Sequence, residues 1–187
     1  MNAQPAQPYA AAILALAIAL PNAAHAEVKA AGASGFLLED RVEIAASADE
    51  ALHTLLDVGR WWSPQHTFSG RAENLSIDAR PGGCWCERLE GGGFVRHMEL
   101  AALLPGRAVR FTGALGPLLA LGASGTLSFT VQPGAPGRVS VMATYAVSGF
   151  QPQGFVALAA AVDGVLAEQL TRYARLFERP SAGAVPP

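Results

Sequence analysis

From Gln153 to Glu178 the apolar positions Phe155, Leu158, Ala159, Val162, Val165, Leu166, Leu170, Tyr173, Leu176 and Phe177 recur every three or four residues. That is the period of one long amphipathic helix. Gly164, Glu168, Thr171, Arg172 and Arg175 fill the opposite face, and Pro180 ends the pattern. At 100° per residue Gln169 falls near the middle of the apolar stripe, so this helix carries one buried amide. Its dry face needs an apolar surface to lie on.

The preceding segments supply that surface. Leu38, Val42 and Ile44 alternate with Glu39, Arg41 and Glu43, as in a half-buried strand. Ser47-Ala48-Asp49-Glu50 has the capping-box spacing and predicts a helix with Leu52, Leu55 and Leu56 as its buried stripe, ending near Gly59. Arg60-Trp61-Trp62-Ser63-Pro64 then reads as a short turn or one-turn helix whose paired indoles are the largest apolar groups in the chain. Six strands follow, roughly Gly70 to Asp78, Cys84 to Glu90, Gly93 to Leu103, Arg107 to Leu115, Gly125 to Gln132 and Arg138 to Phe150, separated by Gly- and Pro-rich turns. Leu127, Phe129 and Val131, and likewise Val139, Val141, Ala143, Tyr145 and Val147, alternate with small or polar residues. Each strand therefore has one wet and one dry face, the mark of an antiparallel meander in an α+β chain.

Composition narrows the picture. The chain has 187 residues, 51% hydrophobic and 15% charged, which suits one compact domain with a sizeable core. A net charge of −2, spread singly along the chain, leaves no basic footprint for nucleic acid. Residues 1–26 read as a signal peptide: Tyr9 to Leu20 is an uncharged apolar run, Pro21 ends it, and Ala24-His25-Ala26 matches the small-x-small site of a signal peptidase. The n-region departs from pattern in having no Lys or Arg. The run is shorter than the roughly 20 residues a membrane span needs, so no stable span is expected in the mature protein. Cleavage after Ala26 would place a monomer or weak dimer in the periplasm or outside the cell. The remaining organisation is a flexible lead-in over 27–35, the domain over 36–178 and a disordered tail over 179–187.

The element order, with Gly59-Arg60-Trp61-Trp62, Pro81-Gly82-Gly83-Cys84-Trp85-Cys86-Glu87, Thr112-Gly113-Ala114-Leu115-Gly116-Pro117 and Val162-Asp163-Gly164-Val165-Leu166, resembles the SRPBCC superfamily. This is the helix-grip fold shared by START-like lipid-transfer domains, pollen-allergen-type ligand binders and polyketide cyclases. The likeness is to its polyketide cyclase/dehydrase-like and heat-shock ATPase activator-like branch and runs from Phe36 to Phe177. It implies a curved antiparallel sheet of about seven strands wrapped around the long C-terminal helix, two short helices after the first strand, and an apolar cavity between sheet and helix. Its motifs are mostly turn glycines and core residues, so they speak for fold more than for function.

A two-residue turn at Gly91-Gly92 would pair Glu87 with Arg96 and Trp85 with Met98 on an inner face, and put Cys84, Cys86 and His97 on the outer one. A slip by one residue would exchange the two faces. The residues then expected around a ligand are Trp61, Trp62, Trp85, Glu87, Arg96, Met98, Phe111, Phe129, Tyr145, Val162, Leu166 and Gln169. Glu87, Arg96 and Tyr145 are the candidates for base, charge stabiliser and acid in a cyclase-like reaction, although Glu87 and Arg96 equally suit a structural ion pair. Cys84-x-Cys86 leaves three readings open: a disulfide, whose Cα separation would lie near the upper limit on a regular strand; a metal site with His97, which lacks zinc spacing; and a Cys–His nucleophile without a visible orienting group. No metal or cofactor is expected. The function expected is an exported binding protein for an apolar small molecule or lipid, with a cyclase/dehydratase-like enzyme as the alternative and a co-chaperone-like interaction domain as the third class.

Overall fold

Eight strands and two α-helices, joined by turns and short 3-10 segments, make up the described residues, 25–178, in a computed structural model. The strands are β1 (His25–Ala31), β2 (Gly35–Ile44), β3 (Leu75–Ile77), β4 (Cys84–Arg88), β5 (Phe94–Leu104), β6 (Ala108–Gly113), β7 (Ser124–Pro133) and β8 (Val139–Ser148). The helices are α1 (Ala48–Leu56) and α2 (Val156–Arg175), and short 3-10 turns occupy 58–60 and 64–66. The strands form one antiparallel sheet in the order β1-β2-β8-β7-β6-β5-β4-β3. This is the α+β helix-grip architecture, with the sheet's apolar face turned toward α2.

The strand periods translate directly into burial. Phe36, Leu38, Val42 and Ile44 on β2, Leu127 and Phe129 on β7, and Val141, Ala143, Tyr145 and Val147 on β8 are all buried. The Ser47 hydroxyl accepts from the Glu50 N–H at 3.2 Å and so starts α1. Ala51, Leu52 and Leu55 are buried beneath α1. On α2, Ala159, Leu166, Gln169, Leu170 and Tyr173 are buried. The Tyr173 hydroxyl donates to the Ala51 carbonyl at 2.9 Å and fastens the end of α2 to α1.

Two expectations about organisation change. Residues 27–31 of the expected flexible lead-in, together with His25 and Ala26 from the end of the expected signal segment, form β1, an edge strand running antiparallel to β2 with Glu27 opposite Glu39. Its sequence is alanine-rich and only weakly alternating, and backbone pairing with β2 orders it. The sheet therefore has eight strands, one more than the pattern predicts. The expected signal segment up to residue 24 and the tail from 179 onward lie outside the described residues.

The second change positions the site. The β4–β5 connection is a three-residue loop, Glu90-Gly91-Gly92, closed by the Leu89 N–H donating to the Gly93 carbonyl at 2.9 Å. Gly91 and Gly92 both have positive φ, 71° and 85°. Near this loop Arg88 pairs with Phe94, Glu87 with Val95 and Cys86 with Arg96, one residue off the two-residue register. A bulge at His97 then restores the expected pairs Trp85 with Met98 and Cys84 with Glu99. His97 and Met98 are consecutive and both buried, as an inserted residue allows.

Candidate functional site

Between α2, the sheet and two loops lies a cavity of about 330 Å³. The N-terminal half of α2 forms one wall with Leu158, Ala161, Val162, Val165 and Leu166. Trp62, Leu75, Trp85 and His97 form the opposite wall. The rim comes from the loops around Phe68 and around Leu118 and Leu121. Phe68, 55% exposed, and Leu121, 37% exposed, mark where the cavity meets solvent. The apolar loop from Gly116 to Gly122 covers the cavity mouth: Leu118 is buried and lines the space, while Leu119 faces out.

The aromatic wall is locked from behind. Trp62 meets Trp85 edge-on at 5.4 Å between centroids, and Trp85 meets Phe111 at 5.2 Å. The Trp62 indole donates to the His66 carbonyl at 2.9 Å, which fixes its rotamer. Trp61 turns away from the cavity, donates to the Thr54 and Leu55 carbonyls at 3.2 Å each, and packs against Phe129 and Tyr173.

The buried polar residue of the cavity wall is His97, backed by Glu87. Glu87 is fully buried on β4; one carboxylate oxygen accepts from the Ser69 N–H and the other from His97 Nε2 at 3.0 Å. Burial alone would raise the pKa of Glu87, but the donors from Ser69, Phe68 and His97 outweigh it and hold the carboxyl below its ordinary value. Burial lowers the pKa of His97, and the Glu87 contact only partly restores it. The imidazole is thus neutral at pH 7. The Gly116 N–H donates to its Nδ1 at 3.3 Å, so the proton sits on Nε2 and Nδ1 is the acceptor. Phe68 covers the ring, with centroids 5.9 Å apart and planes 31° from parallel. Gly113, with φ of 138°, lets β6 pass this bulge; a Cβ there would come within 2.8 Å of the His97 carbonyl oxygen.

The expected inner pair of Glu87 and Arg96 is replaced by Glu87 and His97. Arg96 lies outside, its side chain 63% exposed and paired with Glu99 at 3.2 Å. The one-residue offset next to the glycine loop turns Arg96 out, and the bulge turns His97 in. The three catalytic candidates consequently do not converge. The Tyr145 hydroxyl accepts from the Leu115 N–H at 3.1 Å and anchors the base of the rim loop, with burial pushing its phenol up to about 12. Gln169 is buried as its place on the helix predicts, yet it lies outside the cavity: its Oε1 accepts from the Ser63 N–H at 2.6 Å. Of the expected ligand-lining set, Trp62, Trp85, Val162 and Leu166 border the cavity, whereas Trp61, Met98, Phe111, Phe129 and Tyr145 form the shell behind it. His97 and Phe68 are among the wall residues that the pattern misses. The glycine triplet Gly91-Gly92-Gly93, which admits more than one turn, was the available warning.

Cys84 and Cys86 are joined in a disulfide with Cα atoms 5.3 Å apart. The bridge takes up both thiols, and His97 lies in the cavity wall, so neither a shared metal site nor a Cys–His nucleophile describes this cluster.

Residues 36–178 match the family model described as polyketide cyclase / dehydrase and lipid transport. The chain belongs to this family. Among curated proteins none matches its sequence. Solved structures extend the cyclase and lipid-transport fold to distant sequences. A truncated norcoclaurine synthase from Thalictrum flavum superimposes with a TM-score of 0.55 at 18% identity, covering 80% of this chain and 98% of that one. A conserved protein of unknown function from Enterococcus faecalis gives 0.55 at 14% identity, covering 80% and 75%. The Mll3558 protein from Rhizobium loti gives 0.52 at 19%, covering 80% and 98%. At such identities these likenesses establish the shared fold. Among the described residues no helix is long and apolar enough to cross a membrane.

Proposed function

We propose that this member of the cyclase and lipid-transport family is an exported binding protein for an apolar small molecule or lipid carried between the sheet and α2. The observation that carries the reading is the cavity of about 330 Å³, walled by Trp62, Trp85, Leu118, Val162 and Leu166 with His97 as its buried polar group. That volume lies within the usual range for small-molecule sites, in which a few polar groups orient an otherwise apolar ligand. His97 donates through Nε2 to Glu87 and accepts through Nδ1 from the Gly116 N–H, so both ring nitrogens are engaged within the protein and the ligand that fits is mostly apolar. Export rests on the small-x-small site at Ala24-His25-Ala26.

Native mass spectrometry of protein purified from its own host tests the reading. A bound apolar molecule that is lost when Val162 is replaced by Phe is the expected result. A protein that carries no such molecule and takes up no apolar dye would overturn it.

One observation favours cyclase-like catalysis as a second reading. A neutral imidazole held by a buried carboxylate is the arrangement of a general base, and His97 Nδ1, once released by the Gly116 N–H that donates to it, would accept the proton in place of Glu87. In that case His97→Gln abolishes turnover of a bound ligand while leaving its affinity nearly unchanged.

A further inference from the structure

Asp40 and Glu87 are the buried carboxylates among the described residues, and their situations are opposite. Glu87 is well supplied with donors, whereas neither oxygen of Asp40 has a hydrogen-bond partner. Asp40 lies on the inner face of β2 between Leu38 and Val42. From α2 comes Asp163, of the same charge, with its own Oδ1 buried and unpartnered. The ladder neighbours of Asp40 are Ala143 on β8 and Ala26 on β1, neither charged. The cation of β1, Lys29, is bound to Glu27 at 2.9 Å and lies in the field of Glu39. Burial first, and Asp163 second, lift the Asp40 carboxyl to about 7. A buried acid without a partner is costly unless it is protonated or meets a cation.

We propose that Asp40, with Asp163 behind it, is the binding site for the α-ammonium group created when the chain is cut after Ala26. The inference rests on the reading of Ala24-His25-Ala26 as a processing site. Its geometric support is the register: Ala26 stands directly opposite Asp40, and the next residue is Glu27. Hydrolysis of the Ala26–Glu27 bond consumes one water, leaves a carboxylate on Ala26 and puts an amine on Glu27. An α-amine has a pKa of about 7.7–8.0 and is mostly protonated at neutral pH. In the uncut chain the Glu27 nitrogen is an amide tied into the peptide. After cleavage it becomes a cation at the free end of an edge strand, one residue from the rung of Asp40, whose carboxyl lacks one. The uncut chain holds a proton on Asp40 near neutrality; the processed chain replaces that proton by an ion pair that clasps β1 to the face of α2.

The test compares a chain whose first residue is Glu27, produced by removing a tag, with the same chain acetylated on that amine, so that Asp40 is equally covered in both. In the free-amine form the Asp40 carboxyl, followed by NMR, should titrate about two pH units lower than in the acetylated form. Its thermal midpoint at pH 7 should be about 2–4 °C higher, and Asp40→Asn should erase that difference. Equal Asp40 titrations in the two chains, or a thermal difference that survives Asp40→Asn, would overturn the proposal. N-terminal sequencing of protein secreted by a bacterial host tests the cleavage separately. A start elsewhere than Glu27 would sink the processing reading, while the two chains compared above still decide whether Asp40 binds an ammonium at that position.

Discussion

His97 donates through Nε2 to the Glu87 carboxylate across 3.0 Å, with both side chains buried and His97 in the wall of the cavity. The pair exists because β5 inserts one residue opposite β4, so it is a product of register and not of alternation alone.

Removing one partner strands the other. Glu87→Ala leaves the Ser69 N–H and the imidazole N–H without an acceptor and should lower stability by about 1–3 kcal/mol or more, read from urea denaturation. Glu87→Leu combined with His97→Phe removes both polar groups and should recover part of that loss. Arg96→Ala, which touches only an exposed ion pair with Glu99, should stay within about 0.5 kcal/mol of the parent. A large loss at Arg96 with none at Glu87 would return the arginine to the inner face.

The pH dependence follows from His97. Its folded pKa is lowered from 6.5, so below 6.5 the unfolded chain binds a proton that the folded chain refuses. Stability from this site is therefore fully present above 6.5 and declines as pH falls from 6.5 toward the lower folded value. The parent should therefore lose stability relative to His97→Gln as pH falls below 6.5, the opposite contribution of the raised Asp40 carboxyl being common to both chains. Parallel profiles for the two chains would place His97 in water.

The periods of β2, β7, β8 and α2 were legible because each element buries one face against a single core, and burial selects residues at intervals of two or of three to four. The buried Gln169 was legible for the same reason. Register was not: three consecutive glycines fit either a two-residue or a three-residue turn, and the choice decides whether Arg96 or His97 joins Glu87. Nor was β1, whose single large apolar residue, Val28, is 37% exposed and whose order comes from backbone pairing with β2. Turn geometry and edge pairing leave little trace in hydrophobic pattern, and the candidate site is built from the first of them.

Gln169 has a structural task that can be measured. Its Oε1 accepts from the buried Ser63 N–H at 2.6 Å and so ties the turn after Trp62 to α2. Gln169→Leu should cost about 1–3 kcal/mol through the orphaned donor. Affinity for an apolar dye should change little, since Gln169 is not in the cavity wall. Loss of dye binding at unchanged stability would mean that the amide serves the ligand instead.

The Cys84–Cys86 bridge closes a very short loop, with a sequence separation of 2. A cross-link of this size removes little freedom from the unfolded chain, so reduction should lower stability by only about 1–2 kcal/mol. Thermal denaturation with and without a phosphine reductant measures this. A collapse of the fold on reduction would show that the bridge holds the bulge at His97 in place.

The cavity itself separates lining residues from packed ones on the same helix. Val162 is half-buried and borders the cavity, whereas Ala159, one turn earlier, is fully buried in the core. Val162→Phe adds volume into empty space and should abolish uptake of a naphthalene sulfonate dye while shifting stability by less than about 1 kcal/mol. Ala159→Phe forces the same kind of ring into a filled site and should cost about 1–3 kcal/mol or more. Leu166 borders the cavity on one side only, so Leu166→Ala should fall near the lower end of the usual range of about 2–5 kcal/mol, because part of its contact is already absent. A cost near the top of that range, together with undiminished dye uptake in Val162→Phe, would mean that α2 packs against the sheet without a gap and that the apolar ligand binds elsewhere.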